Sequence, residues 1–376
     1  MARLPQGVLR RKDGTLQKRF TIDGKRYSIY GHTVAELTEK ELAKRKDIES
    51  GLYKNNVNVT LDIYFEEFIK QREKYVKPNT IYKYKTIYKN HISPVLGRRK
   101  VRQIEKREIQ KLQTDMSKKN SIGLCNEALK QIKTILSSAL ADEIVIKNVA
   151  EGVKLLKDTK REKAVDNIHR ALTEQEQQLF MNQAKESNCY YYEMFAFMLC
   201  TGMRFGEVSA LTWRDIDLSN KVIHVNKTQS KGADGKQITS TPKTITSVRD
   251  IPMNNTIIEV LGQQKKKTKL VYSDKPIDIN QRVFPSPYGY VPFNRQVIDC
   301  IEIILAELEE KGHHIERFTT HCFRDTFATR YIEQGGSPQT LKTILGHRSL
   351  QMTMDLYAHV LPNTKAEEMN RLNIVI

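Results

Sequence analysis

The sequence predicts an α+β protein that is mainly helical and is divided into several domains. Short alternating segments near the N-terminus indicate strands, a long region between residues 60 and 148 has helical periodicity, and helices mix with a few strands after residue 172. The chain has 376 residues. That length is enough for two or three domains of ordinary size, each with its own apolar core.

The first predicted element is a small sheet. Residues 8–31 alternate apolar and polar positions around two turn signals, Asp13-Gly14 and Asp23-Gly24. This pattern is typical of short antiparallel strands. We expect three strands followed by a helix that begins near Thr33 and ends at Gly51, which together form a small domain over residues 1–55.

The strands of this first domain carry basic and aromatic side chains that could contact DNA. The candidates are Arg19, Lys25, Arg26 and Tyr27. A small sheet can present such side chains to a DNA groove, and a merely solvated module is the alternative.

A helical domain is predicted over residues 58–155. Apolar residues such as Leu61, Phe65, Phe68 and Ile69 recur at helical spacing, Pro78 interrupts the pattern, and periodicity resumes over 80–92, 106–117 and 121–142. Four or five short helices fit this pattern. This region is rich in lysine and tyrosine: Lys70, Lys74, Lys77, Lys83, Lys85, Lys89, Tyr82, Tyr84 and Tyr88. These residues form either a basic aromatic face or a solvated charged face with the tyrosines buried. Lys77, Lys83 and Lys85 are the candidates for DNA contact.

A third domain is predicted over residues 168–376. Residues 157–170 are charged and lack apolar periodicity, which is typical of a linker. Thr173 and Glu176 then have the spacing of a capping box and predict a helix start. Helices are expected to residue 211, strands near 221–226 and 247–252, and mostly helices up to about residue 361.

The charge of the chain favours a polyanionic partner. The net charge is +18, and residues 1–158 hold 34 basic and 19 acidic side chains, a net of +15. A surface charged only for solubility would spread this excess, so nucleic-acid binding is the preferred interpretation and a membrane surface a weak one. No run of about 18 apolar residues and no signal peptide is evident. The five cysteines lack a CxxC pair, which indicates reduced thiols in the cytosol.

Four separated segments in the C-terminal half stand out. They are TGMRFGE at 201–207, TPKT at 241–244 with SVRDIP at 247–252, HCFR at 321–324, and LGH at 345–347 with Tyr357 ten residues later. His321 and Arg324 have i, i+3 spacing on a predicted helix and therefore project from one face. Ser337 and Pro338 start the next helix, which ends at Gly346 and places His347 in the following turn.

Together these segments resemble the signature of the tyrosine recombinase family. The resemblance implies a catalytic set that surrounds one phosphate: Arg204, Lys243, His321, Arg324, His347 and Tyr357. Guanidinium groups suit the non-bridging oxygens, which they can hold bidentately without losing a proton. Tyr357 is implied to attack a phosphodiester and to form a 3′-phosphotyrosine, with Lys243 donating a proton to the leaving 5′-oxygen. Glu207, three residues after Arg204, is expected to orient that guanidinium. No metal or other cofactor is expected.

The resemblance also implies an organisation into an arm-site DNA-binding domain (1–55), a core-site DNA-binding domain (58–155) and a catalytic domain (168–376). The implied DNA partner is double-stranded DNA. The chain is expected to be a monomer when free and a homotetramer in the synaptic complex. An excisionase and a host DNA-bending protein are further implied partners. A membrane partner is not expected, and the site of action is the bacterial cytoplasm at the nucleoid.

A mobile-element integrase fits best; a type IB topoisomerase or an inactive DNA-binding regulator is the alternative. The apolar tail, residues 372–376, is expected to pack either on a neighbouring subunit or on its own subunit.

Overall fold

The computed structural model describes residues 4–5, 7–22, 25–49, 59–157, 170–241, 247–272 and 276–351. The chain divides into two compact units, residues 1–158 and 159–376. Among the described residues, no helix is both long enough and apolar enough to cross a membrane.

The N-terminal element is an antiparallel sheet of three strands in the order β1-β2-β3, as predicted. The strands are β1 (Val8–Arg10), β2 (Leu16–Ile22) and β3 (Lys25–Gly31), and they are followed by helix α1 (Val34–Glu49). Leu37 of α1 is fully buried and belongs to a small core with Leu16, Phe20 and Ile29. The sheet and helix therefore have an apolar core of their own.

The rest of the first unit is helical. Its elements are α2 (Leu61–Arg72), α3 (Pro78–Ile87), a π-helix (Tyr88–Gly97), α4 (Lys106–Ser117) and α5 (Ile122–Ala141). Thr60 caps α2 by accepting a hydrogen bond from the Ile63 backbone N–H. Pro78, predicted as a break, is the first residue of α3, where its missing N–H costs no helical hydrogen bond.

The second unit is a mixed α/β domain. Its helices are α6 (Glu174–Glu186), α7 (Tyr192–Thr201), α8 (Phe205–Ala210), α9 (Asn255–Val271), α10 (Asn294–Glu310), α11 (Thr320–Glu333) and α12 (Pro338–Leu345). The predicted capping box at Thr173 and Glu176 is present at the start of α6. The described helices enclose a large core that includes Phe180, Phe195 and Phe323.

Two groups of strands lie in the described part of this domain. One antiparallel sheet has the order β4 (Ile216–Asp217), β5 (Val222–Val225) and β8 (Arg249–Pro252), and a separate hairpin joins β6 (Thr228–Lys231) to β7 (Gln237–Ser240). The sequence predicted strands at β5 and β8. It did not predict β4, β6 or β7, which are short and contain several polar residues.

The predicted start and end of the helix after Ser337 are confirmed. Helix α12 has Ser337 at its N-cap and Gly346, with a φ of 67°, at its C-cap. The segment that contains Tyr357 and the apolar tail lie outside the described residues, as does the linker over 158–169.

Candidate active site

A sharp turn between α7 and α8 positions Arg204. Helix α7 ends at Gly202, whose φ of 62° favours glycine, and a Cβ there would lie 2.4 Å from Cδ1 of Phe327. The chain then enters α8 with Arg204 as its N-cap residue. The Arg204 side chain is 37% exposed, so its guanidinium can reach a ligand in solvent.

Glu207 is a buried carboxylate that binds two arginines. Nη1 of Arg204 lies 2.9 Å from Oε1 of Glu207, and the Arg204 backbone N–H donates to Oε2 at 3.0 Å. Arg249 contacts the same carboxylate with both terminal nitrogens, at 3.2 and 2.9 Å. Burial raises the pKa of Glu207, but the hydrogen bond from Arg249 and the two positive charges outweigh it and hold the pKa below its usual value.

Arg324 projects from α11 into the interior and is only 2% exposed. Its Nη1 donates to the Gly202 carbonyl at 2.8 Å, and its Nη2 donates to the Leu345 carbonyl at 2.7 Å. Burial, and then the charge of Arg204, lower the pKa of Arg324 to about 9, while the carboxylates of Glu207 and Asp325 oppose this shift. The guanidinium is therefore still charged at neutral pH.

His347 follows the C-cap glycine of α12 and is 6% exposed. Burial is the main cause that lowers its pKa to about 3, and the charges of Arg324, Arg204, Arg249 and His321 add to the effect. The imidazole is thus neutral at pH 7. One of its ring nitrogens can donate a hydrogen bond and the other can accept one.

Most of the predicted catalytic residues that the structure describes come together at this point. Arg204 and Glu207 are in direct contact, and Arg204 acts electrostatically on both Arg324 and His347. His321 lies one turn before Arg324 on α11, is exposed, and is close enough to influence the pKa of His347. Lys243 and Tyr357 lie outside the described residues.

Arg249 is part of this cluster although the sequence did not single it out. It occurs in the segment 247–252, which was noted only as part of a motif. A basic residue that begins a buried strand was the available signal, because a buried arginine requires a carboxylate or carbonyl partner. Which partner it binds depends on contacts across 42 residues of sequence.

The predicted DNA contacts of the N-terminal sheet lie on two different faces. Arg19 pairs with Ser28 and Arg26 with Thr21 across β2 and β3, and both arginines are exposed. Tyr27 lies on the other face, where it stacks on Phe20 with ring centroids 5.9 Å apart. Lys25 pairs with Ile22 in the same strand register. The four candidates therefore do not form one surface.

The basic aromatic face of the helical region is also divided. Tyr88 is buried, stacks on Phe65 with ring centroids 3.6 Å apart, and donates to Asp62 at 2.8 Å. It is a core residue. Lys83 is exposed, Lys85 forms an ion pair with Glu73 at 3.0 Å, and Lys77 is the N-cap residue of α3.

The cluster around Glu207 is suited to bind an anion. It contains the guanidiniums of Arg204, Arg249 and Arg324 against the buried carboxylates of Glu207 and Asp325. Charge-assisted hydrogen bonds from arginine match the oxygens of a phosphate group. Across the described residues, no group of three His, Cys, Asp or Glu side chains could hold a metal ion.

Comparison with known proteins shows the family of this chain. A model described as the phage integrase family matches residues 170–364, more than half of the chain, and a phage integrase N-terminal SAM-like domain matches residues 60–117. With the arginine and histidine cluster, these matches define the class of the protein as a tyrosine recombinase. More specifically, the chain belongs to the phage integrase family. The predicted family is confirmed.

Individual relatives are similar over most of the chain. The ICEBs1 integrase of Bacillus subtilis (strain 168) is 25% identical over 346 residues, covering 91% of this chain and 90% of the relative. The structure of the Tn1549 transposon integrase in complex with a circular intermediate DNA has a TM-score of 0.69 at 24% identity and covers 84% of this chain and 99% of that one. A lambda integrase tetramer bound to a Holliday junction has a TM-score of 0.57 at 16% identity, over 92% and 96% of the two chains.

Proposed function

We propose that this chain is a site-specific integrase that inserts and excises a mobile element by cutting and rejoining DNA strands through a 3′-phosphotyrosine and a Holliday junction. The observation that carries the proposal is the convergence of Arg204, Arg324 and the neutral His347 beside the buried Glu207. Family membership supports the same conclusion.

The two arginines are proposed to hold the scissile phosphate. Attack on a phosphodiester increases the negative charge on its non-bridging oxygens, and preorganised guanidiniums stabilise that charge. Arg204 is partly exposed and can receive the phosphate. Arg324 uses one N–H of each terminal nitrogen on a backbone carbonyl, which leaves a second N–H on each.

Tyr357 is the proposed nucleophile. Its phenol oxygen forms a bond to phosphorus, the bond from phosphorus to the 5′-oxygen breaks, and the leaving oxygen takes a proton, for which Lys243 is the proposed donor. The phenol is largely protonated at pH 7, because its ordinary pKa is about 10. His347 is neutral and can accept that proton or bind a phosphate oxygen, and the exposed His321 completes the set. Attack by another 5′-hydroxyl on the phosphotyrosine reverses the step and releases the enzyme, so no metal or nucleotide is required.

The rest of the chain is proposed to select the DNA. Residues 58–155 are proposed to bind the core site, as is the catalytic domain at 168–376, and residues 1–55 are proposed to bind a separate arm site. The excess positive charge of residues 1–158 supports this assignment. We propose that the free protein is a monomer and that the synaptic complex is a homotetramer, since a lambda integrase tetramer binds a Holliday junction. An excisionase and a host DNA-bending protein are proposed partners, and the bacterial nucleoid the proposed location.

A nicked suicide substrate tests the proposal. The wild-type protein is expected to form a covalent adduct at the 3′-phosphate, and Tyr357→Phe is expected to lose the adduct while DNA binding stays within about twofold, because only the nucleophilic oxygen is removed. Tyr288→Phe, at a tyrosine that is 81% exposed in the same domain, is the matched control and keeps the adduct. An adduct that persists in Tyr357→Phe contradicts the assignment.

A second measurement separates the proposal from a topoisomerase. Two duplex sites incubated with the wild-type protein are expected to yield Holliday junctions and recombinants. Relaxation of supercoiled DNA without strand exchange would instead assign the chain to the topoisomerase reaction.

A further inference from the structure

Arg249 is the most extensively bonded buried side chain of the cluster, and it has no assigned role in the proposed reaction. It is the first residue of β8, and its side chain is 3% exposed. All three of its side-chain nitrogens already donate to acceptors within the protein, so we assign it no direct contact with a DNA phosphate. Its effect on the reaction has to pass through the groups it contacts.

Those groups belong to three separate segments. Arg249 holds both oxygens of Glu207 on α8, at 3.2 and 2.9 Å. Its Nε donates to the carbonyl of Ile344 in the last turn of α12. Its Nη1 also donates to the Ser247 carbonyl at 3.1 Å, at the start of the segment that leads into β8.

The contact with Ile344 concerns the end of a helix. The last carbonyls of a helix lack intrahelical partners, and positive groups stabilise them. Arg249 binds the Ile344 carbonyl and Arg324 binds the adjacent Leu345 carbonyl. These two arginines thus hold the turn that delivers His347 two residues later.

The contact between Arg249 and Glu207 affects the position of the Arg204 guanidinium. Glu207 shares its oxygens between Arg204 and Arg249. Without Arg249, a buried carboxylate would lose its main partner and would draw the Arg204 guanidinium inward to compensate its charge. Arg204 would then be less available to a phosphate.

We propose that Arg249 is a positioning residue for strand cleavage, which fixes Arg204 through Glu207 and His347 through the end of α12. This inference rests on the proposed function, because strand cleavage is the reaction that it serves. A displacement of about 1 Å in catalytic groups reduces a rate by about 100-fold. Loss of Arg249 is therefore expected to slow the chemical step much more than it weakens DNA binding.

The test compares Arg249→Lys and Arg249→Met with the wild-type protein on a half-site suicide substrate. At saturating protein, both variants are expected to form the adduct about 100-fold more slowly, with the Kd for DNA within about threefold. Lysine keeps the charge but cannot replace the planar fork that reaches Glu207, Ile344 and Ser247 together. A rate within about threefold of wild type in Arg249→Lys or Arg249→Met overturns the inference.

Arg330→Met is the matched control. Arg330 lies on α11, its side chain is 19% exposed, and it binds the Leu172 carbonyl at 2.8 Å and the carboxylate of Glu333. It makes the same kinds of contact but none with Glu207. The control is expected to lower Tm and to keep the wild-type cleavage rate at saturating protein; a rate loss equal to that of Arg249→Met would show a general effect of lost stability and would overturn the inference.

The double variant Glu207→Gln/Arg249→Met separates positioning from stability. It removes both charges of the buried pair and is expected to be more stable than Arg249→Met, since no uncompensated carboxylate remains. A positioning role requires that cleavage stays slow in the stabilised protein. Recovery of the wild-type rate together with Tm would overturn the inference. Failure of the wild-type protein itself to form an adduct would instead contradict the proposed function.

Discussion

At the scale of single residues, burial determines the chemistry of His347. An imidazole in an unfolded chain has a pKa of about 6.5. In the folded protein, burial and the charges of Arg324, Arg204, Arg249 and His321 lower it to about 3. The folded state therefore excludes a proton that the unfolded state accepts.

This shift predicts a specific acid sensitivity. The folded pKa is depressed, so the contribution of His347 to stability is complete above pH 6.5 and is lost as the pH falls from 6.5 towards 3, by at most about 1.4 kcal/mol per pH unit. His347→Gln is expected to reduce the fall in unfolding free energy between pH 7 and pH 5, measured by denaturant unfolding. Glu207, whose pKa is below its usual value, contributes little in this range.

His313→Gln provides the control for this measurement. His313 is exposed and lies outside the cluster, so its replacement is expected to leave the wild-type acid sensitivity unchanged. An identical pH dependence in wild type and His347→Gln would show that the folded imidazole is not held neutral.

At the scale of elements, strand β6 of the β6–β7 hairpin packs closely against α8, which carries Glu207. A Cβ added at Gly206 would lie 2.7 Å from Oγ1 of Thr228 and 2.9 Å from the backbone oxygen of Gln229. The backbone oxygen of Gln229 can move away from an added Cβ only if strand β6 itself shifts. Because Gly206 has no side chain, strand β6 can pack directly against the start of α8.

Gly206→Ala is therefore expected to destabilise the protein by about 1–3 kcal/mol, the usual effect of overpacking. It should also slow adduct formation, because α8 carries Glu207 and follows Arg204. Gly262→Ala is the matched control: Gly262 is exposed in the middle of α9, and nothing lies within 4 Å of an added Cβ. That control should gain about 0.5–1 kcal/mol from helix propensity. A gain of stability in Gly206→Ala would contradict the close approach of β6.

At the scale of the whole molecule, the N-terminal sheet is separable from the catalytic residues. Its apolar core is local and is formed by Val8, Leu16, Phe20, Ile29 and Leu37. All six proposed catalytic residues lie after residue 200. Removal of this module should therefore change DNA selection without removing the reaction.

Deletion of residues 1–55 is expected to leave core-site cleavage within about threefold of wild type and to weaken binding to arm-site DNA by more than tenfold, since phosphate contacts from this segment are lost. A suicide-substrate assay on the core duplex measures the cleavage rate, and gel-shift titrations with the arm duplex measure the arm-site affinity. Arg19→Ala/Arg26→Ala, on the exposed face of the sheet, should reproduce part of the loss in the full chain. Equal arm-site affinity with and without residues 1–55 would refute the arm-site role.

The sequence by itself determined the class of fold, several helix boundaries and the family. These features depend on local signals. The capping box at Thr173 and Glu176, the start at Ser337 and Pro338, and the glycine stop at Gly346 all act within a few residues, so the chain pattern was enough to place α6 and α12. The motifs that contain Arg204, Arg324 and His347 are local as well, because their spacing is set by single turns.

Only the tertiary structure decided how those local pieces combine. Arg249 binds partners that are 42 and 95 residues away in the sequence. The burial of Tyr88 depends on Phe65 and Asp62 of another helix. Tyr27 and Arg19 lie on opposite faces of the sheet because of the strand register. No local propensity contains this information. Buried charges and aromatic rings are stabilised by partners that packing brings together from distant segments, so the site is a property of the assembled domain.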